Sequence, residues 1–423
     1  MNRKIMRSWM MYDWANSAFA TTMIAAVLPI FYLSVAASNL PEHQASSYWG
    51  FTQTIAMIIV AVISPILGAI ADSSRSKVRF LRVFAYTGVL ACLLMAFTGT
   101  GDYILLSCCF ILGVVGFSGG NTFYDSILAD VAPIEIRDEV SAKGYMFGYI
   151  GGGVLLAINI VMLEMWESLG FPSKTVATQV VFVTVAVWWF LFSLPIFRNI
   201  KDLGAVQKKP VGFYAKDGFR RVFTTFRQIK QYPELLKYLF AFWFFNDGIS
   251  TIISMATIYG KTIGIETSHL IIALLITQFV GIPFTYLFGK IASKMGSKKS
   301  LYISLCVYVL VVFLGYFMTS ALHFYALAFI VGMVQGGSQS IARSIYSRLV
   351  PKERTSEFFG FLSLSDKVSA SLGPALFGIV SLLTGSTRQA ILSLLVFFIV
   401  GIFLLTRVNI AKGMREASPS GEA

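Results

Sequence analysis

The first long apolar segment of this chain begins Tyr12-Asp13-Trp14-Ala15-Asn16-Ser17-Ala18-Phe19-Ala20-Thr21-Thr22 and stays apolar to about Ala37. A charged side chain inside a bilayer costs about 3 kcal/mol or more, and such residues usually face a protein interior or a water-filled cavity. Asp13 and Asn16 are therefore candidates for a binding site within the membrane. A second interpretation stays open, in which the helix starts after Asn16 and Asp13 caps its N-terminus in the headgroup region.

The composition of the whole chain predicts a membrane protein. Of its 423 residues, 56% are hydrophobic and only 13% are charged, whereas soluble domains carry about 25% charged residues. Twelve segments reach the length of about 20 apolar residues that crosses a bilayer. They cover residues 12–37, 47–71, 80–100, 103–130, 142–165, 175–197, 236–260, 268–290, 300–319, 322–347, 357–383 and 387–407. A β-barrel would show short alternating segments, so the sequence predicts an all-α membrane protein with twelve transmembrane helices.

The basic residues are distributed unevenly along the chain, whose net charge is +13. With the N-terminus placed inside, thirty of the 34 Lys and Arg residues fall in inner segments. Only Lys174, Lys261 and Arg388 fall outside, and Lys367 lies well within a span. This positive-inside bias predicts a multi-pass protein with both termini cytoplasmic. The short loops and the absence of an Asn-x-Ser/Thr sequon favour the cell inner (cytoplasmic) membrane of a bacterium. The charge therefore indicates topology, and we expect no nucleic-acid partner.

A basic, polar loop at residues 198–235 divides the chain into two halves. We predict an N-terminal six-helix bundle at 1–197, a cytoplasmic linker at 198–235, a C-terminal six-helix bundle at 236–410 and a cytoplasmic tail at 411–423. Between Lys216 and Lys230, apolar residues recur at helical spacing with basic residues between them. That pattern favours an amphipathic helix on the inner leaflet, with a solvated linker as the alternative.

The two halves are internally repeated. Gly68-Ala-Ile-Ala-Asp72 after the second span corresponds to Gly289-Lys-Ile-Ala-Ser293 after the eighth, and each precedes a basic cluster. Asp130-Val-Ala-Pro133 at the end of the fourth span likewise corresponds to Arg348-Leu-Val-Pro351 at the end of the tenth. With a one-residue gap, Asn121 falls opposite Gln339 and Asp125 falls opposite Arg343.

These features resemble the major facilitator superfamily over nearly the whole chain. Gly68, Asp72 and Arg75 are similar to the superfamily's loop motif, although Ser76 stands where a Gly is usual. The start Tyr12-Asp13-Trp14-Ala15-Asn16-Ser17 and the stretch Phe245-Asn246-Asp247-Gly248 resemble the vacuole effluxer family more narrowly. The resemblance implies two pseudo-symmetric bundles and transport in the export direction. It also implies that the substrates are amino acids, specifically neutral ones.

The seventh span carries Asp247 about eleven residues from its start, which is near mid-depth at 1.5 Å per residue. Transporters of this type bind their substrate near the bilayer midplane, between two halves that expose it to one side at a time. We therefore expect Asn246 and Asp247 to form part of a substrate or proton site, together with Asn121. The alternative is a carboxylate that burial or pairing neutralises for packing.

Asp366 and Lys367 lie at a similar depth in the eleventh span. Adjacent helical residues diverge by about 100°, so we expect one to face the cavity and the other to pair sideways. An acid and a base in one cavity suit a zwitterion, with its carboxylate at Lys367 and its ammonium at Asp247 or Asp366. A structural ion pair within the bundle is the equally weighted alternative.

Several charged residues near the inner ends of the spans are candidates for gating. Asp125 and Arg343 have opposite charges at equivalent positions, so we expect them to close the inner gate by pairing. Asp130 and Arg348 would extend that contact, and Asp72 would anchor the N-terminal half with Arg75. Simple charges at helix ends are the alternative.

The sequence contains no Ser-His-Asp set, metal-ligand cluster or nucleotide motif, so we expect neither an enzyme nor a cofactor nor a metal site. We predict a secondary active transporter for a small-molecule substrate in the lipid bilayer, acting as a monomer. Proton coupling through Asp13, Asp247 or Asp366 is a hypothesis that rests on their expected burial. Efflux of drugs or amphiphilic lipids, and ligand sensing without transport, are the alternative functions.

Overall fold

The computed structural model describes residues 3–202, 224, 229–369 and 372–418. Within these residues the chain is helical and contains no strand, and twelve helices are long and apolar enough to cross a membrane. The predicted all-α fold with twelve spans is therefore confirmed. The predicted amphipathic helix between Lys216 and Lys230 lies outside the described residues, apart from Thr224 and residues 229–230.

The N-terminal half consists of six helices. They are α1 (Arg3–Ala36), α2 (Glu42–Ser74), α3 (Lys77–Met95), α4 (Tyr103–Val131), α5 (Arg137–Glu164) and α6 (Lys174–Asn199). The first helix starts nine residues before the predicted span, so Asp13 and Asn16 lie in its interior. The alternative in which Asp13 caps a later helix is therefore wrong. From Phe19 to Val27 the helix is π-helical, a local widening that is frequent at functional sites.

The C-terminal half also forms six spans, followed by a short terminal helix. They are α7 (Pro233–Thr262), α8 (Thr267–Met295), α9 (Ser297–Tyr316), α10 (Ala321–Leu349), α11a (Thr355–Ser369), α11b (Leu372–Thr384), α12 (Thr387–Thr406) and α13 (Ile410–Ala417). The predicted tail begins with this terminal helix, which packs on α7 and α10, where Leu349 approaches Gly413. Its first residues are therefore part of the folded C-terminal half.

The two halves meet along two equivalent seams, where α2 packs on α11a and α5 packs on α8. Backbones approach closely at the first seam. A Cβ at Gly68 of α2 would lie 2.3 Å from the Ser356 carbonyl oxygen, and one at Gly360 of α11a would lie 2.6 Å from the Ser64 carbonyl oxygen. Only glycine fits at such distances. At the second seam, a Cβ at Gly289 would lie 2.5 Å from the Cβ of Ala142.

Both seams are closed at one end of the bundle, which we call the basic end. It is formed by the chain connections after Ser74, Val131, Met295 and Leu349, each of which carries Lys or Arg nearby. The positive-inside rule predicts that this end is cytoplasmic. Tyr259, near the last turn of α7, and Gly315, at the end of α9, mark the opposite end.

Candidate functional site

Two adjoining cavities lie between the halves, with volumes of about 330 and 250 Å³. They share Asn121 and Asp125 of α4, Tyr145 of α5, and Gln339 and Arg343 of α10. We call the two together the central cavity. Because residues from both halves form its wall, any relative movement of the halves must change its shape.

Arg343 is the most highly connected side chain of the central cavity and is 5% exposed. Its Nη1 lies 2.8 Å from Asp125 Oδ1 and 3.6 Å from Asp13 Oδ2. Its Nε and Nη2 donate to the Ser141 side-chain and main-chain oxygens, both at 3.0 Å. One guanidinium therefore joins α10 to α1, α4 and α5. The expected contact between Asp125 and Arg343 is present, but both residues also line the cavity, and their gating role stays a prediction.

The N-terminal half positions Asp13 and Asn16 on the cavity wall. Tyr124 of α4 donates its hydroxyl to Asp13 Oδ2 at 2.8 Å, and the Tyr124 ring stacks on Trp9 at a centroid distance of 4.4 Å. Asn16 Nδ2 donates to Asn121 Oδ1 at 2.5 Å. The polar residues of the first apolar segment thus face the protein interior, because the stacked aromatic rings and the amide pair fix them against α4.

The C-terminal half contributes Asn246, Asp366 and Lys367 to the same cavity. Asn246 Nδ2 donates to Asp366 Oδ1 at 2.7 Å, and Lys367 Nζ lies 2.8 Å from Asp366 Oδ2. The expectation that only one of Asp366 and Lys367 would face the cavity is wrong. The long, flexible lysine side chain bends back to the neighbouring carboxylate, so both groups line the cavity as one ion pair.

Asp247 does not line the central cavity, contrary to the sequence-based expectation. Its side chain is fully buried, and its Oδ1 accepts a hydrogen bond of 3.0 Å from the backbone N–H of Gly373 in α11b. Asn246, one residue earlier, faces the cavity instead. The 100° rotation between neighbouring helical residues separates the two side chains.

Among the residues that the structure describes, three carboxylates and two cations line the central cavity. They are Asp13, Asp125, Asp366, Arg343 and Lys367. The formal charge of this set is therefore negative when all five are ionised. A cavity of this kind can bind an ammonium group at a carboxylate and a carboxylate group at a cation. Both ends of a zwitterion thus find a partner.

A third cavity of about 220 Å³ adjoins the central cavity and is lined mainly by apolar side chains. Thr21 of α1 and Gln278 of α8 border both spaces. The apolar cavity extends to Tyr259 and Met318, which lie at the opposite end of the bundle. We call it the apolar vestibule, because it continues the central cavity away from the basic end.

The basic end is closed at the first seam by Asp72, the last acidic residue of α2. Its two carboxylate oxygens accept hydrogen bonds from the backbone N–H groups of Ser356 at 3.1 Å and Glu357 at 2.8 Å. The prediction that Asp72 anchors the N-terminal half together with Arg75 is thus wrong, since Asp72 binds the other half. The free N–H groups and positive dipole end of α11a attract the carboxylate across the seam. Arg75 instead ends α2 in a left-handed conformation, with φ 49°.

At the second seam, Asp138 at the start of α5 binds two residues of the other half. Arg348 Nη2 lies 2.8 Å from Asp138 Oδ2, and the Ser297 hydroxyl donates to the same oxygen at 2.6 Å. Asp130 pairs with Lys77 of its own half at 2.8 Å. The expected pair between Asp130 and Arg348 is therefore wrong, since each residue has a partner that begins a neighbouring helix. Closure at both seams, with an apolar vestibule at the other end, describes a carrier that is shut at its basic end.

Sequence reasoning missed several residues of the cavity wall and of the basic end. They are Tyr124, Tyr145, Tyr149, Gln278, Asp138 and Glu357. The sequence pattern could have predicted two of these residues. Tyr145 and Tyr149 have the same four-residue spacing as Asn121 and Asp125. That spacing places each pair on one face of its helix.

Comparisons with known proteins agree with this geometry. The sequence profile of the family described as "Vacuole effluxer Atg22 like" matches residues 40–418. An uncharacterized MFS-type transporter, YxiO of Bacillus subtilis (strain 168), is 38% identical over 95% of this chain and 94% of its own length. Autophagy-related protein 22 of Pichia angusta is 24% identical over 96% of this chain and 82% of its own length.

Solved structures share the fold at low sequence identity. The major facilitator superfamily proton:xylose symporter XylE has a TM-score of 0.74 and 14% identity, and the match covers 96% of this chain and 95% of that chain. The human organic anion transporter MFSD10 has a TM-score of 0.71 and 12% identity, with coverage of 95% and 99%. These matches confirm the predicted two-bundle fold of a multi-pass membrane protein. The chain belongs to the Atg22-like vacuole effluxer family of major facilitator transporters.

Proposed function

We propose that this protein is a secondary active transporter that exports neutral amino acids by alternating access of the central cavity. The observation that carries the proposal is the presence, on one cavity wall, of acids from both halves and of two bases from the C-terminal half. A metabolite with both an ammonium and a carboxylate group matches that wall. The name of the family, vacuole effluxer, supports the outward direction.

In this proposal the substrate carboxylate binds beside Lys367 or Arg343, and the ammonium binds beside Asp13 or Asp366. Asp125 is bound tightly to Arg343, at 2.8 Å, whereas Asp13 lies 3.6 Å from the same guanidinium. Asp13 is therefore the carboxylate that is better placed to bind the ammonium. The amides of Asn16, Asn121 and Asn246 would hydrogen-bond the same groups. They are the sequence-predicted polar residues of the wall.

We propose that the gate of the transporter lies at the basic end. Asp72 binds the N-terminus of α11a, and Asp125 binds Arg343, so both contacts between the halves must break when that end opens. We propose that this end faces the cytoplasm of a bacterial cell, with both termini inside. The basic residues near the chain connections and the Bacillus relative support this orientation and this membrane. A cation gradient would drive export, with the proton as first candidate.

The test is counterflow of labelled neutral amino acids into liposomes that contain the purified protein. We expect the wild-type protein to accumulate label against an internal unlabelled pool. Lys367→Gln and Asp13→Asn should lose affinity, because each removes one charged partner of the zwitterion. Unlabelled N-acetyl amino acids, which lack the ammonium, and alkylamines, which lack the carboxylate, should compete poorly. Wild-type liposomes without any counterflow would refute the amino-acid assignment.

The apolar vestibule favours a second candidate, the efflux of amphiphilic molecules. Met255, Met318 and Phe324 line it together with aliphatic side chains. An amphiphile would place its apolar part there and its polar part in the central cavity. Competition by amphiphilic cations, with no effect of neutral amino acids, would decide for this alternative. A protein that binds either ligand but shows no counterflow would be a sensor.

A further inference from the structure

Asp247 and Thr251 of α7 place a carboxylate and a hydroxyl together in the protein interior, where no third group of the described residues binds their free oxygens. Both side chains are fully buried. Among the described residues, Asp247 Oδ2 and Thr251 Oγ1 have no hydrogen-bond partner apart from each other. A Cβ placed on Gly373 would lie 1.9 Å from Thr251 Oγ1 and 2.9 Å from Asp247 Oδ1. The carboxylate and the hydroxyl, one helical turn apart, therefore lie against the same point of α11b.

The surroundings of this carboxylate supply no positive charge. No ion pair reaches Asp247 in the described parts of the chain, and α12 packs Phe398 against the neighbouring Gly248. On α11a, Lys367 is bound to Asp366, which also accepts a hydrogen bond from Asn246. On α10, Arg343 is bound to Asp125, as described above. An ionised carboxylate buried without a cation is strongly unfavourable, so its charge must be neutralised by something that binds there.

We propose that Asp247 and Thr251 form a binding site for one monovalent cation, a proton or Na⁺, that is separate from the central cavity. A carboxylate and a hydroxyl supply the oxygen ligands that a hard cation prefers. The binding itself is independent of the substrate. Its role as the coupling site rests on the proposed transport function.

The eleventh span, which contains α11a and α11b, links this cation site to the other parts of the transporter. The N-terminus of α11a is bound by Asp72 at the basic end, and Asp366 and Lys367 line the central cavity further along. Gly373 then donates its backbone N–H to Asp247. Because a cation at Asp247 changes the acceptor of that hydrogen bond, it acts on α11b, which follows in the chain the helix α11a that meets Asp72 and lines the central cavity. This is the physical route by which cation binding and gating are coupled.

The binding test measures thermal unfolding of the full-length protein in detergent by tryptophan fluorescence. One arm replaces choline chloride by NaCl at pH 8, and the other lowers the pH from 8 to 5.5 in choline chloride. We expect a saturable rise of about 2 °C in the melting temperature of wild type in one arm, since a ligand stabilises the state that binds it. The arm that responds identifies Na⁺ or the proton.

Asp247→Asn should abolish this rise, and Thr251→Val should weaken it by moving its midpoint to higher cation concentration. Asp102→Asn, in an exposed connection, and Ser254→Ala, one turn from Thr251, are the matched controls and should respond like wild type. An Asp247→Asn protein with the wild-type response in both arms would overturn the proposal. If Asp247→Asn does not fold, an unchanged midpoint in Thr251→Val overturns it.

Two transport assays distinguish the proposed cation site from the proposed substrate site. Counterflow needs no ion gradient, so Asp247→Asn should retain it while losing accumulation driven by a Na⁺ or proton gradient. A wild-type protein with the cation response but without amino-acid counterflow would refute the proposed substrate alone. Amino-acid counterflow in wild type, combined with gradient-driven accumulation in Asp247→Asn, would refute the cation site alone.

Discussion

Arg343 of α10 and Asp125 of α4 form a 2.8 Å ion pair that joins the two halves and lines the central cavity. The two residues occupy equivalent positions in the sequence repeat of the halves. In the function proposed above, a substrate or cation that competes for either partner would act directly on closure of the basic end. The proposed substrate site and the proposed gate share this pair.

Asp125→Asn should shift the protein towards conformations that are open at the basic end. Removing one partner of a buried ion pair destabilises the state that contains the pair by about 3–5 kcal/mol when the remaining charge has no other partner. Asp13 and Ser141 still hold Arg343, so we expect a smaller shift of about 1.4 kcal/mol, or tenfold in population. Spin labels at Glu135→Cys and Lys352→Cys, in a cysteine-free background, report the distance across this end.

The charge exchange Asp125→Arg with Arg343→Asp provides the control for that prediction. If the pair acts through its charges, the exchanged protein should recover part of the closed population that either single substitution loses. Equal distance distributions in wild type and Asp125→Asn would show that the pair is not part of the gate.

Asp72→Asn should weaken closure at the first seam. The amide keeps an acceptor for the N–H groups of Ser356 and Glu357 but loses the charge that interacts with the helix N-terminus. We expect a loss of about 1 kcal/mol, or roughly fivefold in the closed population. The same pair of spin labels measures it. Arg75→Gln should have little effect, because Arg75 is not the partner of Asp72 in this structure.

Gly68→Ala should prevent the closest approach of α2 and α11a. The added methyl group would lie 2.3 Å from the Ser356 carbonyl oxygen, and a backbone atom cannot move aside without shifting the helix. We expect transport to fall at least tenfold while the protein remains folded in the open form. Gly50→Ala in the same helix is the control, because nothing lies within 4 Å of its added Cβ. Normal transport by Gly68→Ala would mean that the seam does not close this tightly.

Tyr124→Phe should lower substrate affinity without disturbing packing. The substitution removes the 2.8 Å hydrogen bond to Asp13 and keeps the ring that stacks on Trp9. A hydrogen bond to a charged group contributes about 1.5–3 kcal/mol, so a tenfold loss in affinity is expected as a lower limit. Concentration-dependent counterflow gives the affinity, and the melting temperature checks that the fold is intact. An unchanged affinity would place Asp13 outside the substrate site.

Local sequence patterns were sufficient for the broad architecture. Apolar segments long enough to cross a bilayer predict twelve helices, since the membrane tolerates no unpaired backbone. Side-chain placement on one helix was also predictable where the spacing was regular, as for Asn121 and Asp125. The start of α1 could not be predicted from such patterns. Its first turns carry Arg3, Lys4 and Arg7 and are stabilised by packing on α5 and α6.

By itself, the sequence determined the all-helical membrane class, the two repeated halves and the polar residues that must avoid lipid, because these depend on hydropathy and periodicity. Only the tertiary structure decided their partners. It placed Asp72 on α11a instead of Arg75, turned Asp247 towards Gly373 and away from the cavity, and brought Asp13 within 3.6 Å of Arg343. Those partners are far apart in the chain, so the packing of one half on the other selects them, and no local pattern encodes that choice.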